Sequence, residues 1–150
     1  MRILAIDPGD KNIGLAISDP TGTIANPLTM IQHISRPIDA ATIAALAHEN
    51  GVGKIILGQS FDLDGKPNFQ GRKAARLAAA VRTQTNIPVE LWDEAYSTQE
   101  ARSARITIGS PRSRRKGHLD ELAATVILQS YLDSRLSDGH SGASTVTDQR

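Results

Sequence analysis

The chain has 150 residues, with 17 basic and 16 acidic side chains, five aromatic residues and no cysteine. This length favours one domain that buries roughly 70% of the surface of the unfolded chain. The lack of cysteine excludes a disulfide scaffold, a thiolate zinc site and a cysteine nucleophile. No apolar run approaches the ~18 residues of a membrane span, and no signal-peptide pattern opens the sequence. We therefore expect a cytoplasmic domain without a membrane partner.

The net charge of +1 results from segments of opposite sign. Residues 1–70 carry a net charge of −2, residues 71–117 carry +6, and residues 118–150 carry −3. The densest basic patch, residues 110–117, contains Arg112, Arg114, Arg115 and Lys116. Such a patch is typical of a solvated loop or of a surface that binds the nucleic-acid backbone. Five aromatic residues offer little for recognition by base stacking.

The first part of the sequence predicts three strands in succession, joined by short turns. They are Arg2–Asp7, Asn12–Asp19 and Thr23–Gln32. Strands joined in this way pair as an antiparallel meander, and Pro27 suggests an edge strand or an irregularity. A helix capped by Ser35 then begins near Pro37 and ends at Asn50 and Gly51.

Strands and helices alternate in the rest of the sequence. The predicted strands are Lys54–Gly58 and Pro88–Trp92, and the predicted helices are Gln70–Thr85, Ser97–Ile108 and His118–Leu136. Strands that are connected through helices pair in parallel. The element order therefore predicts an α/β protein of the ribonuclease H-like fold, with a mixed five-stranded sheet flanked by helices. Residues 1–137 form the predicted domain, and residues 138–150 form a predicted disordered tail.

Three acidic residues fall where a metal site could form. Asp7 ends the first strand, Glu94 follows the last strand, and Asp120 opens the final helix. Asp120 is in register with the apolar stripe of that helix, so its carboxylate is predicted to face the sheet. A role as helix cap is the structural alternative for this residue. Clustered carboxylates that hold two Mg²⁺ or Mn²⁺ ions are typical of enzymes that hydrolyse phosphodiesters.

Other candidate residues have competing interpretations. Lys11, in the turn after Asp7, is as consistent with phosphate contact as with a solvated turn. His118 could relay a proton or bind a metal, although a polar residue at a helix start is the simpler interpretation. Asp19 and Trp92 are interpreted as structural. Phosphate loops of sugar kinases share the glycine spacing after Asp7, but 150 residues cannot supply their second domain.

Four motifs, in order over residues 2–132, resemble the YqgF family of pre-16S ribosomal RNA nucleases, also described as Holliday junction resolvase-like proteins. The first motif comprises Asp7, Gly9, Lys11, Ile13, Gly14, Ala16, Ser18 and Asp19. The second comprises Gly58, Asp64, Gly65 and Gln70, and the third Asp93, Glu94, Ser97 and Thr98. The closing helix supplies Asp120, Ala123, Ala124, Ile127, Leu128, Tyr131 and Leu132.

The resemblance implies a nuclease that uses Asp7, Glu94 and Asp120 as catalytic and metal-binding residues, with Mg²⁺ or Mn²⁺ as cofactor. It also implies a role in ribosome biogenesis, in which the 5′ end of 16S rRNA is matured in the small ribosomal subunit. Holliday junction resolution on branched DNA, which requires a symmetric dimer, is one alternative. A non-catalytic module that binds RNA or the ribosome is another, and both monomer and homodimer remain open.

The chain departs from the family pattern at two places. Ala95 and Tyr96 replace the usual Arg and Leu after the acidic pair. Loss of that Arg would transfer phosphate contact to the basic residues Arg114, Arg115 or Lys116. Gln59 and Ser60 stand where Leu and Pro are common. These departures predict altered contact with the substrate and retained catalysis, because all three acids are present.

Overall fold

The computed structural model describes residues 1–93 and 122–136. Within these ranges, five strands form one mixed sheet. Its strands are β1 (Arg2–Pro8), β2 (Asn12–Ser18), β3 (Ala25–Gln32), β4 (Val52–Gln59) and β5 (Val89–Asp93). The first three pair antiparallel, β4 pairs parallel with β1 and β5, and the spatial order is β3-β2-β1-β4-β5. The predicted meander followed by parallel strands is confirmed.

Three helices lie within the described ranges. They are α1 (Arg36–Glu49), α2 (Phe69–Gln84) and α3 (residues 122–136). Ser35 caps α1 as predicted, since its Oγ accepts the Ile38 N–H at 3.4 Å. Asn68 caps α2 by accepting the Gly71 N–H at 2.8 Å, which begins that helix at Phe69, one residue earlier than predicted. None of the described helices is long and apolar enough to cross a membrane.

The two faces of the sheet are covered by different helices. Side chains alternate between faces along a strand, so Leu4 and Ile6 of β1 lie opposite Ile3 and Ala5. The α1/α2 face joins Leu4 and Ile6 to a core containing Ile13, Leu15, Ile43, Ala47, Ile55, Leu57, Leu77 and Val81. The α3 face joins Ile3 and Ala5 to Ala16, Ile56, Ala124, Ile127, Leu128, Tyr131 and Leu132. The predicted apolar stripe of the last helix therefore does face the sheet.

Two strand boundaries differ from the predictions for local reasons. β3 begins at Ala25, two residues late, because the Asp19 carboxylate accepts the N–H groups of Thr23 and Ile24 at 2.8 and 2.9 Å. β4 begins at Val52, two residues early, since Gly51 with a φ of +66° turns the chain directly from α1 into the sheet.

The edge position predicted from Pro27 is confirmed. β3 forms one edge of the sheet, and the register shifts between Leu15 and Ala16, where Ala16 pairs with Pro27. The predicted helix Ser97–Ile108, residues 118–121 of the final helix, the domain end at residue 137 and the tail 138–150 lie outside the described residues.

Candidate active site

Asp7 lies near the carboxyl end of β1, in the middle of the sheet. Asp7 pairs with Gly14 of β2. Ile6 pairs with Leu57 of β4, and continuing this register by one residue places Asp7 beside Gly58. Gly58 pairs in turn with Trp92 of β5. Asp7 shares the face of Ile3 and Ala5, which is the α3 face. β4 lies between β1 and β5. Because Gly58 has no side chain, β4 places no side chain between the half-buried Asp7 and the Trp92 ring at this level of the sheet.

The turn after Asp7 is held by contacts from three directions. Gly9 is required there, because a Cβ atom at this position would lie 2.4 Å from the Asn12 carbonyl oxygen. Asp10 accepts hydrogen bonds from Lys73 Nζ at 2.8 Å and Gln70 Nε2 at 3.2 Å, both on α2. The carbonyl of Lys11 accepts the His33 N–H at 2.8 Å. The chain that follows Asp7 is therefore anchored to both α2 and the end of β3.

The contacts of Asp10 also affect its ionisation. Its hydrogen bonds with Lys73 and Gln70, together with the charge of Lys73, lower the pKa of the Asp10 carboxyl below its usual value. Asp10 is therefore ionised in the folded protein at neutral pH. The exposed Lys11 side chain in the same turn is positioned to meet an anion at this edge of the sheet.

Helix α3 starts on the Asp7 side of the sheet. Gln129 accepts the Ala25 N–H at 2.9 Å and donates to the Thr23 carbonyl at 3.1 Å, which fixes it near the start of β3. Ala25 pairs with Ser18 of β2, and Ser18 Oγ accepts the Ile3 N–H near the start of β1. Asp7 lies at the other end of β1, so Gln129 is far from Asp7 along the strand direction. From Gln129 back to Leu122 the helix extends about 10 Å, at 1.5 Å per residue. The last described turn of α3, with Leu132 and Leu136, lines one cavity with Met1 and Thr23 at the level of the sheet far from Asp7. The helix therefore runs away from the edge where Asp7 lies, and its first described turn is on the Asp7 side.

Two of the predicted site residues lie within the described ranges. Asp7 lies near the carboxyl end of β1, and Lys11 lies in the turn between β1 and β2 with its side chain exposed. The other predicted site residues lie outside the described ranges: Glu94, Asp120, Arg112, Arg114, Arg115 and Lys116. Within residues 1–93 and 122–136, no group of three His, Asp or Glu residues could hold a metal by itself.

Asp19, interpreted as structural, is confirmed in that role. It follows β2 at the edge of the sheet opposite Asp7, and its carboxylate accepts N–H groups of Thr21, Thr23 and Ile24. These hydrogen bonds and the Thr21 hydroxyl hold the pKa of Asp19 well below its usual range. Trp92 is likewise packed on the α3 core, with its ring edge-on to Tyr131 at 5.2 Å between centroids.

Gln59 and Ser60 have a role that the sequence did not reveal. Gln59 is buried, and its Nε2 donates to the Gly71 carbonyl at 3.1 Å. The Ser60 hydroxyl donates to Asn68 Oδ1 at 2.7 Å, and the Ser60 carbonyl accepts the Asn68 N–H. These contacts seat the start of α2 against the end of β4. The two residues therefore act in packing α2, and the described contacts do not involve a substrate surface.

The fold is similar to that of two solved Holliday junction resolvases. The chain matches "T. thermophilus RuvC in complex with Holliday junction substrate" with a TM-score of 0.59 and 17% identity, over 91% of this chain and 96% of that one. It matches the fowlpox virus resolvase in complex with junction DNA with a TM-score of 0.56 and 17% identity, over 91% and 99% of the two chains. The class defined by this architecture is the ribonuclease H-like fold.

Sequence relatives give the family within that class. The family model described as "RuvX: Holliday junction resolvase" matches residues 1–134. A protein of Thermoanaerobacter pseudethanolicus named "Putative pre-16S rRNA nuclease" is 43% identical over 90% of this chain and 98% of its own length. A protein of Syntrophus aciditrophicus with the same name is 41% identical over 89% of both chains. The chain belongs to this nuclease family, which confirms the resemblance drawn from its motifs.

Proposed function

We propose that the chain is a metal-dependent nuclease that matures the 5′ end of 16S rRNA during ribosome biogenesis in the cytoplasm. The observation that carries the proposal is the position of Asp7: a half-buried carboxylate at the carboxyl edge of the sheet, on the face towards which α3 begins. The shared name of the relatives directs the proposal to precursor 16S rRNA as substrate.

Glu94 is the acid of the adjacent pair that best fits the Asp7 face. Trp92 packs against the α3 core and Leu91 against the α1/α2 core. Because side chains alternate along a strand, Asp93 belongs to the α1/α2 face. By the same alternation, we expect Glu94, the next residue in the sequence, on the face of Trp92. This supports Glu94, and not Asp93, as the partner of Asp7.

Asp120 fits the same face by its spacing along the final helix. It precedes Ala124 by four residues and Ile127 by seven, and both of these are buried against the sheet. Residues four and seven apart share one side of a helix. The start of α3 also lies towards Asp7, so the proposal takes Asp7, Glu94 and Asp120 as one set of carboxylates.

Mg²⁺ or Mn²⁺ is the cofactor in this proposal, held by those three acids. Carboxylate oxygens are the ligands that both ions prefer, and the glycine beside Asp7 keeps the neighbouring strand free of competing side chains. When bound, such ions make water nucleophilic and stabilise the charge of the leaving oxygen. The chain itself supplies Lys11 beside Asp7, and Arg112, Arg114, Arg115 and Lys116, for contact with substrate phosphates.

Cleavage of a 5′-extended 16S precursor, with and without Mg²⁺ or Mn²⁺, tests this function. We expect metal-dependent cleavage by the natural chain and its loss in Asp7→Asn and Asp120→Asn. Undiminished cleavage by both variants would overturn the proposal.

Metal binding can be followed separately through Trp92, the single tryptophan of the chain. Its ring lies on the face of Asp7, two strands away with β4 between them, so bound Mn²⁺ should quench its fluorescence. The quenching should be weaker in Asp7→Asn at the same Mn²⁺ concentration. Equal quenching of the two proteins would place the metal away from Asp7.

Holliday junction resolution is the second candidate, because the matching family model is described by that activity. It predicts paired cleavage of a synthetic four-way junction and a dimer mass in solution. Binding to precursor RNA without metal-dependent cleavage of either substrate would instead indicate a binding module.

A further inference from the structure

A small pocket lies behind the β1–β2 turn, on the face of the sheet opposite Asp7. It measures about 230 Å³, and Pro8 and Gly9 form one wall. Ile13 and Leu77, both of the α1/α2 core, give it an apolar side. The rest of the lining comes from the loop after β3 and from α1 and α2, and it includes one carboxylate: His33, Ser35, Arg36, Asp39 and Lys73.

His33 is held in a fixed orientation. Its Nδ1 lies 2.5 Å from Oδ2 of Asp39, a carboxylate that is only 3% exposed and also accepts the Ile34 N–H at 3.1 Å. Because an ionised carboxylate only accepts, Nδ1 carries the proton of this contact. Nε2 is consequently the acceptor nitrogen of the ring, which suits a hydroxyl donor and not a phosphate oxygen. The ring keeps 40% of its side-chain surface exposed.

Arg36 and Lys73 bring positive charge to the same pocket. Arg36 forms no ion pair with any carboxylate of residues 1–93 or 122–136. Lys73 contacts Asp10, which is 70% exposed, and lies over the Phe69 ring at 5.8 Å. An exposed ion pair of this kind contributes little to stability, so the ammonium group can take a second anion at low cost.

Two acids lie at the pocket, Asp39 in its lining and Asp10 beside Lys73. The Asp39 carboxylate is engaged by His33 and the Ile34 N–H, and Asp10 is engaged by Lys73 and Gln70. Of the two cations in the lining, Arg36 is the one without a carboxylate partner among residues 1–93 and 122–136. Its guanidinium suits a phosphate, because its N–H donors match two phosphate oxygens at once.

The size of the pocket limits the class of ligand. Pockets for whole small molecules are usually about 300–1,000 Å³, so 230 Å³ suits a single phosphate with part of a sugar. The pocket wall follows Asp7 directly, and two residues span at most ~7 Å. A strand of nucleic acid lying across the β1–β2 turn would meet Asp7 on one side and this pocket on the other.

The geometry points to a phosphate-binding subsite formed by Arg36 and Lys73, which receives a backbone phosphate of the nucleic acid next to the cleaved bond, with His33 Nε2 placed to accept from a hydroxyl group of the adjoining sugar. This inference rests on the proposed nuclease function and extends it to the α1/α2 face. Asp39 acts as a positioning residue that orients His33. The recognition is independent of base sequence, since only the sugar-phosphate backbone is contacted.

The salt dependence of binding tests the subsite. Fluorescence anisotropy would follow a labelled 5′-extended 16S precursor fragment, without divalent ions so that no cleavage occurs, for the full chain and two variants. Arg36→Gln should reduce the slope of log K against log salt by about 0.7–0.9, the value of one phosphate contact. Arg76→Gln is the matched control, because Arg76 is exposed on α2 and does not line the pocket.

NMR titration with inorganic phosphate and with a nucleoside 5′-monophosphate would identify the ligand source. Both should shift the Gly9 and His33 amide signals of the natural chain, and Arg36→Gln should abolish the shifts. Equal salt slopes for Arg36→Gln and Arg76→Gln would overturn the subsite as a backbone contact. If phosphate shifted these signals while the slopes stayed equal, the pocket would bind free phosphate instead, and the proposal would be wrong. A changed slope in Arg36→Gln without any metal-dependent cleavage would retain the subsite and reject the nuclease.

Discussion

Asp7 and Asp19 lie in similar sequence contexts but in different surroundings in the folded chain. Each stands at a strand end, directly before a proline and shortly before a glycine. The turn after β2 uses the Asp19 carboxylate to bind its own N–H groups, at 2.8 Å for Thr23 and 2.9 Å for Ile24. The turn after β1 is anchored through Asp10, which binds Lys73 of α2, and through the Lys11 carbonyl, which binds the His33 N–H.

The difference teaches how to interpret an aspartate before a turn. A carboxylate that accepts hydrogen bonds from the N–H groups of the adjacent backbone stabilises the turn. A carboxylate at the carboxyl edge of parallel strands, beside a strand with no side chain at that level, is placed for a ligand. Position in the sheet separates the two roles where the local sequence does not.

The largest effect on cleavage is expected when Asp7, and not Asp19, is replaced by asparagine. Asp7→Asn should lower metal-dependent cleavage by at least about 100-fold, since even outer-shell partners of metal ligands cost 10–100-fold. Asp19→Asn should retain the natural cleavage rate at 25 °C and show a lower midpoint in urea. Single-turnover cleavage and urea unfolding of both variants give the two measurements. The comparison fails if Asp19→Asn loses cleavage as severely as Asp7→Asn.

A second test uses the glycine of each turn. Gly9→Ala would bring a Cβ to 2.4 Å from the Asn12 carbonyl oxygen, so the turn beside Asp7 must shift. We expect a loss of cleavage of about tenfold, because small displacements near reacting groups slow catalysis strongly. Gly22→Ala forces a residue with a Cβ to adopt a φ of +74°, which should cost about 1–2 kcal/mol of stability.

Cleavage by Gly22→Ala should match that of the natural protein after correction for the folded fraction. Thermal unfolding supplies that fraction, and cleavage is measured well below the transition. A greater loss of activity in Gly22→Ala than in Gly9→Ala would contradict the assignment of roles to the two turns.

A smaller effect is expected where the turn beside Asp7 is anchored. Asp10→Asn weakens the contacts with Lys73 and Gln70 and should reduce cleavage by less than tenfold. High salt already screens this exposed contact, so the difference from the natural protein should shrink as salt is raised. Cleavage measured at low and high salt checks this, with Asp62→Asn as a control on an exposed loop. A difference that grows with salt would contradict the anchoring role.

The smallest effect is the acid dependence of the Asp19 turn. The folded protein lowers the pKa of Asp19 from 3.8, so its stabilising contribution is fully present above that pH and is lost progressively below it. The natural protein should therefore exceed Asp19→Asn in urea midpoint at pH 6, and the gap should narrow as the pH falls below 3.8. A gap that is constant from pH 6 to acid would show that the ionised form of Asp19 does not support the turn.

Pairing of the strands could be predicted from the sequence, but their order could not. Short turns imply antiparallel neighbours and helical connections imply parallel ones. These rules do not say which edge of the meander receives β4. The structure adds β4 to β1, which makes the strand carrying Asp7 central and brings Gly58 beside it. The register that creates space at Asp7 therefore emerges only from the assembled sheet.

Contacts between distant parts of the chain also escaped the sequence. Lys73 and Asp10 are 63 residues apart, and each is an ordinary exposed charge when considered alone. His33 and Asp39 lie closer, yet neither belongs to a periodic pattern that would mark the pair. In contrast, the inward face of α3 was predicted because apolar spacing along one helix is a local property. Local patterns identified Asp7, and tertiary structure alone identified what surrounds it.

Because α3 covers one face of the sheet, the two faces of a newly made chain can be completed at different times during synthesis. Residues 1–93 contain all five strands of the described sheet together with α1 and α2 on the opposite face. Gln129, by contrast, reaches back 104 residues to bind Ala25. During translation the sheet can assemble on α1 and α2 while Ile3, Ala5 and Ile56 still lack the helix that buries them. The face that carries Asp7 is therefore covered only once α3 has been synthesised, after the sheet and its opposite face can already have formed.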